Sequence, residues 1–394
     1  MQQKTVSEDN KMDNDNWDEY SLGQLLSYEQ PTAYIVKSTD YDDKYKTPVL
    51  TAGKTFILGY TNEEQGVYDA LPVIIFDDFT TASQFVNFKF KVKSSAMKIL
   101  TANTELVLTK FIFYRMQVIK FDSSTHKRYW IQHYSKIKVG IPPISEQERI
   151  VARIDELFSQ LDASVAELKT AKERLKVYRQ AVLNSCLGAG EFRPISECIS
   201  SMGQGWSPNC ERIPIKDDDN WAVITTTAVQ PMKFSFEENK KLPDILEPRV
   251  KHELQVGDIL ITRAGPRSRC GICCMVKQVK KRLLNCDKVY CLKVNDSIIL
   301  PEYMEAVLNA PDFQKEIAFC KTGGNDSGVN LTQSKFLSIK IPIPSTNIQK
   351  EILANIEAGL SVCDSIEKTV DNALQQSEAL RQSILKKAFE GGLV

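Results

Sequence analysis

The chain has 394 residues, 42% of them apolar, and its 50 basic and 50 acidic side chains cancel to a formal net charge of zero. That length fits two or three domains with cores of their own, and no run approaches the roughly 20 apolar residues a membrane span needs. A neutral sum argues mildly against nucleic-acid binding, since phosphate affinity comes from Lys and Arg, but distribution outweighs the total.

Residues 1–16 are almost wholly polar, carry no signal-peptide pattern and read as a disordered lead-in. Ten cysteines without a secretion signal point to free thiols in a reducing, cytoplasmic compartment. Residues 17–140 lack sustained helical periodicity and hold short β-type runs punctuated by Gly, Pro, Asn and Asp. In Thr51-Ala52-Gly53-Lys54-Thr55 the small residues permit close backbone approach, which makes Lys54 a candidate phosphate contact. A P-loop is excluded, because the required glycine five residues before Gly53 is Pro48. Asp77-Asp78 with Lys89 and Lys91 sketches a metal-dependent nuclease, but a pair of acids beside a hydrophobic run reads more simply as a turn boundary. Phe88 to Lys93 alternates perfectly, so a strand there buries Phe88, Phe90 and Val92. It leaves Lys89, Lys91 and Lys93 in an outward row, either a phosphate-contacting stripe or a guarded solvated edge.

Residues 141–190 form a spacer helix by pattern. Ile150, Ile154, Leu157, Leu161, Ser164, Leu168, Ala171, Leu175, Tyr178 and Val182 are spaced alternately four and three apart, the signature of a coiled-coil seam. Pro142-Pro143 forbids an earlier start, Ser145 with Glu148 forms a capping box, and Gly188 and Gly190 end the helix. About 40 residues give a length of about 60 Å.

Residues 191–342 are again β-type, and they carry the sharpest charge signal. Between Asp258 and Asp287 there is no acidic residue, while Arg263, Arg267, Arg269, Lys277, Lys280, Lys281 and Arg282 crowd the stretch. Gly265-Pro266 and Gly271 make the arginine section a loop, from which Arg can reach base edges or phosphates; the bland alternative is a solvated loop. Gly203 to Ser207 with Trp206, and Thr322-Gly323-Gly324-Asn325, are weaker loops of the same kind. Gly203-Gln204-Gly205 is too short for a dinucleotide fingerprint. Cys270-x-x-Cys273 has zinc-like spacing, but no second tight pair follows, and Cys286 and Cys291 are too far apart for a knuckle. Cys273-Cys274 sits in an apolar strand-like run where free Cys acts as a small hydrophobe, and His126, His133 and His252 do not cluster. No Asn-Pro-Pro-aromatic run supports an adenine methyltransferase site.

Residues 343–394 return to helix, and they repeat the first one. At an offset of 202 residues Ile141-Pro142 meets Ile343-Pro344, Gln147 meets Gln349, Asp162 meets Asp364, and Arg179-Gln180 meets Arg381-Gln382. In the same frame Ile352, Ile356, Gly359, Cys363, Ile366, Val370, Ala373, Ser377, Leu380 and Ile384 form the second seam, with Thr346 and Gln349 as the cap. A period near 200 is far too long for a solenoid. It reads as a duplicated unit of globular segment and helix. The simplest partner for each exposed seam is the other, within one chain, although two independent dimerisation helices would carry the same pattern.

Ile141-Pro142-Pro143-Ile144-Ser145-Glu146-Gln147 with Arg149-Ile150-Val151 and Ile154 to Phe158, and then Tyr178 to Leu183, resemble the first helical spacer of Type I restriction–modification specificity subunits. Arg381 to Leu385 and Ala388-Phe389-Glu390-Gly391 resemble the family's C-terminal spacer. Gly205 to Cys210, Gly257 to Arg263, Pro48 to Lys54 and Asp77 to Thr81 are similar to its target-recognition domains. One departure is Ser345 to Ile348, where the family's Pro-Pro-x-x-Glu-Gln is eroded.

The resemblance implies an α+β chain of two mixed α/β target-recognition domains, 17–140 and 191–342, separated by two long helices in an intramolecular antiparallel coiled coil with a pseudo-two-fold repeat. It implies a non-catalytic subunit on double-stranded DNA that binds two methyltransferase subunits and recruits restriction subunits. S-adenosylmethionine, ATP and Mg would belong to those partners. A ruler of this kind reads a split, asymmetric target with half-sites roughly 10 bp apart, and longer helices would change the spacing alone. A coiled-coil scaffold joining two protein-binding modules is the alternative, and the basic stretch argues against it.

Overall fold

The computed structural model describes residues 17–53, 55–121, 128–185, 188 and 190–393. The lead-in expected at 1–16, and Lys54 and His126, lie outside them. The chain divides into two compact units, neither a simple run of sequence: Met1–Lys169 with Asp371–Val394, and Thr170–Val370. Each unit takes one of the expected globular segments, 17–140 or 191–342, together with part of both long helices.

In the first unit, strand Asp18–Ser21 pairs antiparallel with Lys138–Ile141, so the chain enters and leaves the domain on one ribbon. Between them stands a four-stranded sheet in the order Leu26–Glu29, Met97–Ala102, Val73–Asp77 and Ser83–Val86. A three-stranded sheet follows the order Ile57–Thr61, Thr47–Leu50 and Lys91–Val92, its last pair parallel. Val73–Asp77 is apolar along nearly its whole length because it is covered on both faces. Phe76, Phe111 and Trp130 build the core together with Ile150, Ile154 and Phe158 of the first long helix and Ile384, Leu385, Ala388 and Phe389 of the second. Phe111 and Phe389 meet edge to face at 5.5 Å.

The second unit repeats this plan. Glu191–Pro194 pairs with Lys340–Ile343, which is the first ribbon's Lys138–Ile141 displaced by the same 202 residues. Its four-stranded sheet runs Ile199–Gln204, Val289–Val294, Ile259–Thr262 and Cys273–Met275. Of its two three-stranded sheets, the counterpart of the first unit's runs Asn239–Lys241, Ala222–Ile224 and Leu283–Leu284, again with a parallel last pair, and the other runs Ala264–Gly265, Val329–Leu331 and Lys321–Thr322. Ile352 and Ile356 of the second long helix and Leu183 of the first complete the core.

The long helices span Ile144–Ser185 and Thr346–Phe389, 42 and 44 residues, which is about 63 and 66 Å. The first begins before Ser145, so that residue lies inside the opening turn and the expected capping box does not form. A buried glutamine ties each start down instead. Gln147 Oε1 accepts from the Leu108 N–H at 2.8 Å, while its Nε2 donates to the carbonyls of Leu106 (2.9 Å) and Pro142 (2.8 Å). Gln349 takes the Leu300 N–H and the carbonyls of Ile298 and Pro344, each at 2.9 Å. The eroded Ser345 to Ile348 therefore leaves this anchor intact.

Within each unit the helix segments run antiparallel. In the second, Lys172 and Arg179 both reach Glu367, and Val182 lies against Gly359, where a Cβ would come within 2.9 Å of its Cγ1. One expected seam position holds: Ile154, Leu161, Leu168, Leu175 and Val182, with Ile356, Cys363, Val370, Ser377 and Ile384, are all at least half-buried. Ile150 and Ile352 are buried with them. At the other, Leu157, Ala171, Gly359 and Ala373 are half-buried while Ser164, Tyr178, Ile366 and Leu380 are exposed, and the residues one further on, Phe158, Val165, Lys172 and Arg179 with Leu360, Glu367, Leu374 and Arg381, are all at least half-buried. Tyr178, Ile366 and Leu380, expected in the seam, are 54%, 44% and 51% exposed. Four of the displaced positions, Lys172, Arg179, Glu367 and Arg381, carry long charged side chains whose stems cover apolar surface while their heads reach water. Arg179 pairs with Asp364 at 2.6 Å in one unit, and Arg381 pairs with Asp162 in the other, the same ion pair at the repeat offset. No helix among the described residues is long and apolar enough to cross a membrane.

Candidate nucleic-acid interface

The expected lysine row in the first unit breaks at its centre. Phe90 bridges Tyr68, and strand pairing covers only Lys91–Val92. Lys91 turns inward and is 2% exposed. Its Nζ lies 3.2 Å from Glu63 and donates to the carbonyls of Gln65 (2.6 Å) and Gly66 (3.2 Å). A buried ammonium needs such partners, so Lys91 holds the 63–66 loop and is not part of an outward stripe. Lys89 and Lys93 are exposed; Lys89 stands 3.5 Å from Asp69, and Lys93 sits over the Tyr41 ring at 5.9 Å.

The acid-free stretch of the second unit meets acids from elsewhere in the chain. Arg267 pairs with Asp326 at 2.7 Å and Lys277 with Glu305 at 3.1 Å. The Arg282 guanidinium donates to the Asp219 carbonyl. Lys280 is buried, against expectation: its Nζ donates to the carbonyls of Asp217, Asn220 and Lys281 at 2.8, 3.0 and 2.8 Å, and burial lowers its pKa. Lys281 stays exposed, with only its backbone N–H on Asp218.

Arg263 and Arg269 brace backbone. The Arg263 N–H donates to the Lys288 carbonyl at 2.9 Å and its Nε to that of Asp287 at 2.6 Å. Arg269 donates to the carbonyls of Thr226 and Val229, both at 2.8 Å, and to Gln230 Oε1 at 2.9 Å. These carbonyls belong to two loops that flank a recess of about 420 Å³ on the three-stranded sheet. The third wall is the Trp206 loop. Gly205 approaches so closely that a Cβ would fall 2.0 Å from the Asn285 carbonyl oxygen. Trp206 donates its N–H to that oxygen at 3.0 Å and lies under Arg249 at 4.5 Å. Ser207 donates to Asp287 at 2.5 Å.

Arg212, Lys240 and Lys288 line the recess with Asn209, Thr225 and Thr226. All three cations are exposed, and among the described residues no carboxylate pairs with any of them. Sequence reasoning marked the Trp206 loop and the two bracing arginines, and missed these three. They stand at positions 212, 240 and 288, and the pairing of Ala222–Ile224 with Asn239–Lys241 and Leu283–Leu284, with the bridge of Glu211 to Lys241, gathers them. The Arg267 and glycine-rich loops also meet, the Arg267 N–H donating to Asp326 O at 2.8 Å.

The cysteines are packing residues. Cys273 and Cys274 lie fully buried on the last strand of the four-stranded sheet; burial pushes the Cys273 thiol well up and that of Cys274 to about 12. Among the described residues no group of three His, Cys, Asp or Glu could hold a metal ion.

A family model described as the Type I restriction modification DNA specificity domain matches residues 14–173 and again 227–376. The chain is 32% identical over 380 residues to the EcoR124I/EcoR124II specificity subunit of Escherichia coli, covering 92% of this chain and 90% of that one. It is 28% identical over 278 residues to the EcoKI specificity subunit of Escherichia coli K12, 66% of this chain and 58% of that one. A chain solved in work on complex assembly and conformational transition of the type I R-M system matches with a TM-score of 0.67 at 16% identity, over 96% and 99% of the two chains. The HsdS subunit from Thermoanaerobacter tengcongensis gives 0.50 at 16% identity, over 97% and 98%. At that identity the two structures establish a shared fold.

Proposed function

The chain belongs to the Type I restriction modification DNA specificity family, and from that premise we propose that it supplies the address for methylation and cleavage performed by other subunits. Each unit reads one half of a bipartite, asymmetric DNA target. The chain holds no catalytic residues of its own. Two methyltransferase subunits carry S-adenosylmethionine and methylate adenine, and restriction subunits use ATP and Mg to translocate and cut. The whole assembly works in the cytoplasm on double-stranded DNA.

The observation that supports this reading best is the duplication itself. Both halves match the family model, and both carry the same four-stranded and three-stranded sheet orders tied to the helices by a buried glutamine. Two like domains on one chain need not carry the same loops. They can therefore read two different sequences, which makes an asymmetric target the natural product of a symmetric plan.

Co-expression with a Type I methyltransferase subunit of the same genome, followed by methylation mapping, tests the proposal. One split adenine-methylated motif is the expected result, and exchange of residues 17–140 for those of a relative should change one half of it alone. A stable complex with no methylated motif would favour the protein-binding scaffold.

A further inference from the structure

We propose that the recess on the three-stranded sheet of the second unit is the seat of that unit's DNA contact, with Arg212, Lys240 and Lys288 gripping phosphates around it. The inference rests on the DNA-specificity reading and names the surface that serves it.

Three independent features of the recess converge. First, it gathers free positive charge. The seven basic residues of the 263–282 stretch are mostly engaged: Arg267 and Lys277 by carboxylates, Arg263, Arg269, Lys280 and Arg282 by backbone carbonyls. Arg212, Lys240 and Lys288 are exposed, line one concavity and have no carboxylate partner among the described residues. The one acid on the rim, Asp287, already accepts from Ser207. Counterion release by such cations is the main source of affinity for a duplex.

Second, its walls are rigid. Arg263 holds the carbonyls of Asp287 and Lys288, Arg269 those of Thr226 and Val229, and Trp206 is clamped between Arg249 and the Asn285 carbonyl. Arginine bound in this way to main-chain oxygen fixes loop shape, and a loop held still presents its side chains without an ordering cost on binding. Third, the lining between the cations offers hydrogen-bonding side chains beside apolar ones such as Val223 and Ile224: Asn209, Thr225 and Thr226 carry donors and acceptors of the kind that read base edges.

The division of labour is therefore phosphates to the three cations and base edges to the amide and hydroxyls between them. The test uses the complex with the methyltransferase and a duplex carrying the motif found by methylation mapping. Affinity is measured against KCl concentration for the wild type and for the triple variant R212Q/K240Q/K288Q, with R267Q/K277Q as a control that removes exposed but already paired cations. Each phosphate contact contributes about 0.9 to the slope of log K against log salt, so the triple variant should flatten the slope by about 2.7 while the control leaves it unchanged. Should the triple variant fail to fold, the three single variants carry the same test at about 0.9 each. Separately, N209A should relax the motif at one position in the half read by residues 191–342, with the slope unchanged. An unaltered slope in folded variants overturns the recess while leaving the family reading standing. A wild-type complex that binds all DNA weakly and without salt dependence overturns the proposed DNA-specificity function itself.

Discussion

Replacing Gln147 or Gln349 by leucine removes side chains that are wholly buried and that each satisfy three backbone groups. Leucine fills much of the space but offers no donor or acceptor. The proline carbonyls, Pro142 and Pro344, are reached through buried bonds, and each loses a partner where water enters least. An unmet buried group costs about 1–3 kcal/mol. The two remaining bonds of each glutamine are part-buried, so about 0.5–1.5 kcal/mol each is the appropriate figure. The added apolar surface returns about 1 kcal/mol. The balance is a destabilisation of about 1–5 kcal/mol per variant, a large share of the total stability of an ordinary domain. Urea unfolding of the full chain should register it, and hydrogen exchange should localise it. Q147L should speed exchange around residues 106–116, and Q349L around residues 298–309. Changes below 1 kcal/mol, or faster exchange at the same peptides in both variants, would refute the argument that each glutamine anchors its own unit.

Other expectations concern charge. K91M should destabilise the first unit by about 2–4 kcal/mol, because Glu63 loses its buried partner, yet leave the salt slope of DNA binding untouched; unfolding and binding assays on the same protein separate the two. The Ser38 N–H, with the Lys37 N–H and Lys91, holds the Glu63 carboxyl below its usual range. Its contribution is therefore complete above the ordinary glutamate pKa and fades as pH falls through the lower folded value. E63Q should flatten the stability profile below about pH 4.5, which urea midpoints from pH 6 to pH 3 would show. R179A and R381A should each cost only about 0.5–1 kcal/mol, since their aspartate partners are well exposed, and the loss should shrink in 1 M salt.

How much of this was legible depends on the range of the interaction concerned. The repeat and the helices could be read because they rest on spacing within the sequence, and the offset of 202 residues reappears in the ribbons, the glutamine anchors and the arginine–aspartate pairs. The seam was half legible. Counting apolar residues selects Tyr178, Ile366 and Leu380, whereas the helices close over Arg179, Glu367 and Arg381, because a long aliphatic stem packs as well as a hydrophobe when its head has a partner. The charge map was least legible. Nothing local marks Lys91 or Lys280 as interior, since what takes them inside is a set of carbonyls up to 63 positions away in the chain. Arg263 and Arg269, singled out in the sequence as DNA contacts, bind main-chain carbonyls of the loops that carry Lys288 and Thr226.

The interleaving of the two units bears on how the protein is made. The second unit is one unbroken stretch, Thr170–Val370, and has all its parts as soon as that stretch leaves the ribosome. The first is begun earlier and finished later, for its core waits on Ile384, Leu385, Ala388 and Phe389 at the far end of the chain. At roughly 5–20 residues per second, the residues between Lys169 and the end take on the order of 10–45 seconds to appear. Throughout that interval Phe111, Ile150 and Ile154 lie without the side chains that will cover them. A chain cut short before Ile384 would thus hold every part of the unit it finished last and lack the cover of the one it began first.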